Sequence, residues 1–258
     1  TDLFKVTRKF CPDRNLLESI YSDWAAGPST TTRSRHDYTY NGLYQRTSAK
    51  QSGSAFSDYG DATFSRYTYT DRGELAEAPA YLGAQVDNLT KPLHGRQYKF
   101  DYDSIGNRRS SNRRGEPAKR ESYFAESTGT LEGANSLNQY LRKENDTVPV
   151  QGTAGLTTTT VSVSGTSNAP DRQGRYWAAE APVGNASSPW AGTLTVQAAD
   201  TVDGISYRRT ENRPARAPAA VQSFGYDADG NLKADGTWTY DYDAENRLIR
   251  MRSTDQAH

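Results

Sequence analysis

The chain has 258 residues, of which 34% are hydrophobic; its mean hydropathy of −0.89 is strongly polar, yet tyrosine alone supplies 17 residues. That composition favours sheets faced with tyrosine over a leucine-rich helical bundle. Lysine plus arginine balances aspartate plus glutamate at 31 each, so no overall field draws the chain to nucleic acid or an anionic membrane, and the lone Cys11 excludes an internal disulfide or a cysteine-built zinc cluster.

No run of apolar residues approaches the length of about 18 needed for a membrane span, and the opening TDLFKVTRKFCPDRNLLESI has no apolar signal-peptide centre. The chain begins without Met in what reads as a strand, so it is expected to be a segment of a longer polypeptide. Within RKFCPDRNLLESI an aromatic, an Asp and an Asn-Leu pair stand in the order that recurs later. Aromatic residues spaced by two follow at Tyr38/Tyr40, Tyr67/Tyr69, Tyr98/Phe100/Tyr102, Phe224/Tyr226 and Trp238/Tyr240/Tyr242. A period of two places each group on one face of a strand. Most of these strands run into a polar turn: NG at 41–42, TDRG at 70–73, DSIGN at 103–107, DADGN at 227–231 and DAEN at 243–246. An Asp side chain accepts a hydrogen bond from an amide two residues on, and Gly, less readily Asn, adopts positive φ. Asp235-Gly236 adds a favoured hairpin dipeptide ahead of the alternating TWTYDY. The intervening SAKQSGSAFSDYGDA and AEAPAYLGAQVDN read as loops, and residues 131–143, LEGANSLNQYLRK, as a short helix or a strand entry.

From about 149 to 214 the aromatic repeat stops and Thr, Val, Ala and Gly dominate. This stretch reads as an inserted small all-β module, sandwich-like, with strand candidates near 156–164, 175–180, 192–199 and 204–210. ENRPARAPAAVQ reads as its return linker. The expected organisation is degenerate and clear repeats over 1–148, the insertion over 149–214 and C-terminal repeats over 215–258.

Asp241, Asp243 and Glu245 alternate and could share a strand face, and Asp227, Asp229 and Asn231 carry oxygens at like spacing. A helix-loop-helix calcium loop, however, needs Gly sixth and Glu twelfth, whereas from Asp227 the Gly is fourth and the twelfth residue is Trp238. Turn formation is the favoured reading. A nucleophilic site has only His36, His94 and His258 to draw on, and CPDRN around Cys11 reads as a turn. The basic stretches 107–122 and 206–218 are diluted by Glu and Pro and read as solvated edges. Trp177 reads as core, whereas Trp190 with Tyr207 would form a glycan-stacking platform if both were exposed and clustered.

YKFDYDSIGNRR, FGYDADGNLKADGTWTYDYDAENRLIRM and NSLNQY together resemble YD-repeat, or Rhs-repeat, proteins. The Tyr-Asp-x-x-Gly-Asn-Leu pattern is full at Tyr226, Asp227, Gly230, Asn231 and Leu232 and nearly full at Tyr102, Asp103, Gly106 and Asn107. At Tyr242, Asp243 and Asn246 the Gly is absent. The resemblance implies an antiparallel β-strip that spirals into a hollow shell, as in bacterial polymorphic and insecticidal toxin complexes and in teneurins, enclosing a toxin or presenting a recognition surface. The family's core region with its DPxG-type autocleavage site is missing after Leu248, so neither autoproteolysis nor a toxin domain is assigned to this segment.

The resulting expectation is an all-β, non-enzymatic structural segment of an exported or surface-displayed protein, with no catalytic, cofactor or metal residues. Its partners would be flanking repeats or further copies through open sheet edges, with an enclosed toxin or a surface glycan, and neither nucleic acid nor a membrane span. The rival readings are a glycan- or protein-binding adhesion module and a carbohydrate hydrolase.

Overall fold

The computed structural model describes residues 3–26, 29–59, 62–112, 120–145 and 147–254. The fold is all-β and antiparallel. In chain order the first strands are β1 (Leu3–Phe10), β2 (Leu17–Ala26), β3 (Ser29–Tyr40), β4 (Arg46–Ser52), β5 (Thr63–Arg66), β6 (Thr68–Tyr69), β7 (Leu75–Leu82) and β8 (Pro92–Tyr102). Then come β9 (Arg108–Asn112), β10 (Arg120–Phe124), β11 (Arg142–Glu144), β12 (Thr147–Thr153), β13 (Thr160–Val163), β14 (Asp171–Gln173), β15 (Tyr176–Pro182), β16 (Trp190–Val202) and β17 (Ile205–Ala217). The last are β18 (Val221–Ser223), β19 (Gly225–Tyr226), β20 (Leu232–Ala234), β21 (Trp238–Tyr242) and β22 (Leu248–Ser253). A 3-10 turn at Ser54–Tyr59 follows β4.

Two compact units divide the chain. The first comprises Thr1–Lys99, Gln151–Thr158 and Asp171–Ala178. Its sheet runs β1-β2-β3-β4-β5-β7-β8, with β6 also on β7. Phe64, 2% exposed, stacks on Tyr81 across the β5–β7 pair with ring centres 5.3 Å apart. Residues one step along face the other way, where Ala80, Leu82 and Leu93 form a buried cluster with Tyr176 packed on it. Two segments expected to be loops are strands here. SAKQS lies in β4, whose one buried residue is the small polar Ser48, and AEAPAYL in β7, where Ala80 holds a core position that a larger residue would have made visible: Ala80 and Leu82 are buried and their neighbours are not.

The second unit comprises Phe100–Val150, Thr159–Pro170 and Ala179–His258. One of its sheets runs β9-β10-β11-β18, a second β13-β16-β17 and a third β19-β20-β21-β22. β11 pairs with β18 at Arg142↔Ser223, Lys143↔Gln222 and Glu144↔Val221, and the Asn145 amide donates to the Ala220 carbonyl at 2.7 Å. The strands on either side of residues 146–219 are therefore neighbours. β16 and β17 form a hairpin of thirteen paired positions, from Trp190↔Ala217 to Val202↔Ile205. β17 runs through the segment expected to be a linker. Pro214 is accommodated there because β17 is an edge strand, where a missing N–H breaks no ladder bond. Arg142 is buried with its guanidinium 4.0 Å from the Phe124 ring centre, and it donates to the carbonyls of Ser127 and Gly129 at 3.1 and 2.6 Å. That clamp fixes the loop before 131–143. The latter stretch is neither a helix nor a plain strand entry; it holds a turn at Asn135–Gln139 that leads into β11.

Candidate functional site in the repeated turns

A single turn geometry recurs six times among the described residues. Its first residue is Asn41, Thr70, Asp103, Asn135, Asp227 or Asp243. In each, the amide of that residue donates to the carbonyl four positions on, at 2.8–3.0 Å, and the amide three positions on donates back to its carbonyl, at 2.9–3.2 Å. The residue three positions on is left-handed in every copy: Tyr44, Gly73, Gly106, Asn138, Gly230 and Asn246. This is a three-residue hairpin loop, a type I turn closed by a left-handed residue and a bulge. The bulge is visible as a register shift at Thr39/Tyr40, Thr68/Tyr69, Gly225/Tyr226 and Asp241/Tyr242. In the first copy Tyr44, with φ of 63°, is the left-handed residue, and Gly42 of the NG dipeptide is not.

The leading side chain caps the loop. Asp103 Oδ1 accepts from the amides of Ile105 and Asn107 at 3.0 and 2.8 Å. Asp227 Oδ1 does the same for Asp229 and Asn231 at 3.1 and 2.8 Å, and Asp243 Oδ1 for Glu245 and Arg247 at 2.9 and 3.0 Å. Asn41 and Asn135 reproduce the pattern, each accepting from the amides two and four residues on at 2.9–3.0 Å. The second side-chain atom is matched to the residue four positions on. Asp103 and Asp227 accept from the Asn107 and Asn231 amides at 2.9 and 3.1 Å, and Asp243 accepts from Arg247 Nε at 2.7 Å. Where the leader is Asn41 the polarity reverses, and its Nδ2 donates to Gln45 Oε1 at 2.7 Å. Thr70 likewise donates to the Glu74 carboxylate.

Tyrosines immediately before these turns lace one hairpin to another. Tyr40 donates its hydroxyl to the Leu17 carbonyl at 2.8 Å and Tyr69 to the Arg46 carbonyl at 2.8 Å, each 23 residues back. Tyr226 donates to the Tyr140 carbonyl at 2.9 Å, 86 residues back. Arg46 pairs opposite Tyr40, and Tyr140 stands at the same position after the Asn135 turn, so each acceptor follows a turn in the same place. Arg108 holds the same position after the Asp103 turn. The residue at that position also covers an aromatic ring eight residues earlier: Arg46 lies 4.1 Å from the Tyr38 ring centre and Arg108 4.7 Å from that of Phe100.

The electrostatics follow from these bonds. Hydrogen bonds from Asn231 hold the Asp227 carboxyl below its ordinary range, and those from Arg247 do so for Asp243. At Asp103 burial is the largest influence and acts upward, but the combined bonds from Asn107 and Ile105 outweigh it, and the net shift is downward. Asp241 is lowered chiefly by Arg250, whose Nε donates to it at 2.5 Å, with Arg252 Nη2 at 3.0 Å. Burial pushes Tyr123 up to about 12, helped by Glu121; burial also pushes Tyr240 up to about 12, helped by its hydrogen bond to Asp235. The lowered carboxyls stabilise the fold above the ordinary value of 3.8 and lose that contribution as pH falls below it. The raised phenols stabilise it fully below 10 and lose that contribution as pH rises towards 12. Denaturation midpoints measured across pH should therefore form a plateau that falls away below pH 3.8 and again above pH 10.

The turns bring Asp227 and Asn231 together, and Asn231 Nδ2 also donates to Asn246 Oδ1 at 2.8 Å, joining two of the expected turns. The alternating carboxylates are divided among cations: Asp241 with Arg250 and Arg252, and Asp243 and Glu245 with Arg247. Among the described residues no group of three His, Cys, Asp or Glu side chains could hold a metal ion, and no helix is long and apolar enough to cross a membrane. Cys11 opens a longer turn, its amide donating to the Leu16 carbonyl at 2.9 Å, while His36 packs edge-on against Phe56. Trp177 is buried. Trp190 and Tyr207 sit towards opposite ends of the β16–β17 hairpin, opposite Ala217 and Asp200, so they form no shared platform. In the basic stretches Arg209 and Arg213 both pair with Glu211, and residues 113–119 of the other stretch, like His258, lie outside the described residues. Residues 135–140, NSLNQY, carry part of the repeat resemblance, yet for want of Asp and Gly the stretch around them does not read as a turn; the leader and the residue four on, Asn with Gln, are the signal for it, since Asn41 and Gln45 form the same pair.

Replacing Asp227 with alanine should lower the denaturation midpoint, and replacing it with asparagine should lower it less, since Asn41 and Asn135 accept the same two amides; thermal unfolding of the two variants makes the comparison.

A comparison with protein-family models finds no match, and neither does one with curated proteins. Among solved structures, a chain in the crystal structure of TcdB2-TccC3 is similar over 99% of this chain, with 12% sequence identity and a TM-score of 0.35; this chain spans 12% of that one.

Proposed function

We propose that the chain is a non-enzymatic structural segment of an exported or surface-displayed YD-repeat protein, building part of a β-shell that encloses or displays a cargo such as a toxin domain. The tyrosine lacing is the observation that supports this most. At the turns led by Asn41, Thr70 and Asp227 a tyrosine hydroxyl just before the turn bonds to a backbone carbonyl just after another turn and joins hairpin to hairpin, a joint that a longer run of hairpins can repeat. The joint survives a long interruption: Tyr226 reaches an acceptor 86 residues back where Tyr40 and Tyr69 reach 23. The aspartates act in this reading as turn formers with their oxygens engaged, so that they position backbone and do no chemistry.

Electron microscopy of the polypeptide that carries this chain is expected to show a β-walled shell with internal density that resists added protease. An open strip with no enclosed density would overturn the shell. A catalytic turnover lost in Asp227→Ala while circular dichroism stayed unchanged would overturn the non-enzymatic role.

A further inference from the structure

On one face of the sheet in the first unit lie two adjoining hollows. One, of about 400 Å³, has buried Leu93 as part of its lining and presents Phe56, Tyr176 and Trp177. The other, of about 430 Å³, presents Tyr38, Tyr67 and Tyr98. Gln51, Thr63 and Arg96 line both. The register explains the shared wall, since Gln51 pairs with Thr63 across β4 and β5, and Ala49 with Ser65 beside them. Each volume falls in the lower part of the range of about 300–1,000 Å³ typical of ligand sites.

The chemistry of the lining is selective. Among the described residues no Asp or Glu lines either hollow, whereas Arg96 lines both, held with its guanidinium 5.5 Å from the Tyr176 ring centre. A planar guanidinium fixed on an aromatic face is suited to a carboxylate in two-point contact. Gln51 and, in the first hollow, Gln151 each offer a donor and an acceptor side by side, as a pair of neighbouring hydroxyls requires. Aromatic rings in both hollows suit the C–H face of a sugar.

We propose that this groove binds an acidic oligosaccharide, with a uronic acid carboxylate on Arg96, its hydroxyls on Gln51 and Gln151, and sugar rings against the aromatic side chains of the two hollows. The site is independent of the structural role proposed above: a shell that binds no sugar would leave that role intact.

The test is isothermal titration of the chain with a tetrasaccharide of alternating glucuronic acid and N-acetylglucosamine, with a neutral N-acetylglucosamine tetrasaccharide and with a short peptide bearing a free C-terminal carboxylate. The acidic sugar is expected to bind, more weakly as salt is raised, and at least about tenfold more tightly than the neutral one, as one charge-assisted contact gives. Arg96→Gln should remove that preference and Gln51→Ala weaken binding, with circular dichroism confirming the fold of each. Arg213→Gln, on exposed β17, should leave binding unchanged. Absence of binding, equal affinity for the neutral sugar, preference for the peptide, an undiminished affinity in Arg96→Gln, or a loss in Arg213→Gln would each overturn the proposal.

Discussion

Replacing Phe64 with alanine is expected to lower stability by about 3–5 kcal/mol, and the thermal midpoint by about 10 °C. Phe64 is 2% exposed and stacked on Tyr81, so truncation removes both the buried ring area and its partner contact and leaves a cavity between β5 and β7. So large an effect reflects how few large side chains are fully buried: among the described residues only Phe64 and Leu93 are large apolar side chains at 2% exposure or less. The tyrosines that dominate the composition are half-buried on sheet faces, and no one of them carries comparable packing. Phe64→Leu should recover most of the loss. An alanine variant within 1 kcal/mol of the parent, an order-of-magnitude threshold for a surface site, would mean that β5 is not part of the core.

Removing three hydroxyls together should approach the same size. Tyr40→Phe, Tyr69→Phe and Tyr226→Phe each delete one hydrogen bond to a backbone carbonyl while keeping the ring, at roughly 0.5–1.5 kcal/mol apiece. The three bonds share no partner, so the costs should add to about 3 kcal/mol. Tyr207→Phe, with a ring 55% exposed near the tip of the β16–β17 hairpin, should cost almost nothing and serves as the control. Urea denaturation of the triple variant and the control separates lacing from a general effect of losing tyrosine. Equal stability of the two would refute the lacing.

The sequence made the hairpins readable because period-two aromatics and Asp-x-x-Gly-Asn are local signals, and local signals decide local geometry. Within 149–214 the strand candidates correspond to β13, β15, β16 and β17 with shifted ends, β17 running on to Ala217 because an edge strand tolerates Pro214, whereas β12 and β14 were not legible. What escaped reading was non-local. Nothing in the string FGYDADGN announces that the Tyr226 hydroxyl will find the Tyr140 carbonyl. Alanine-rich strands such as β7 were mistaken for loops because their alternation is one of burial more than of residue type. Asn41 and Asn135 show that the turn requires an oxygen acceptor with a matched residue four positions on, a requirement broader than the Tyr-Asp pair by which the repeat is recognised.

Amide hydrogen exchange across the turns tests most directly whether the aspartates are turn formers. In each turn the amides of the leader and of the residue four on are bonded, as in Asn41 with Gln45 and Asp227 with Asn231, while those of Gly42 and Ala228 lie at the loop's outer edge. The account predicts slow exchange at Asn41, Gln45, Asp227 and Asn231, fast exchange at Gly42 and Ala228, and the same alternation in the turn led by Asp243. Uniformly fast exchange through these turns, with the flanking strands protected, would contradict it.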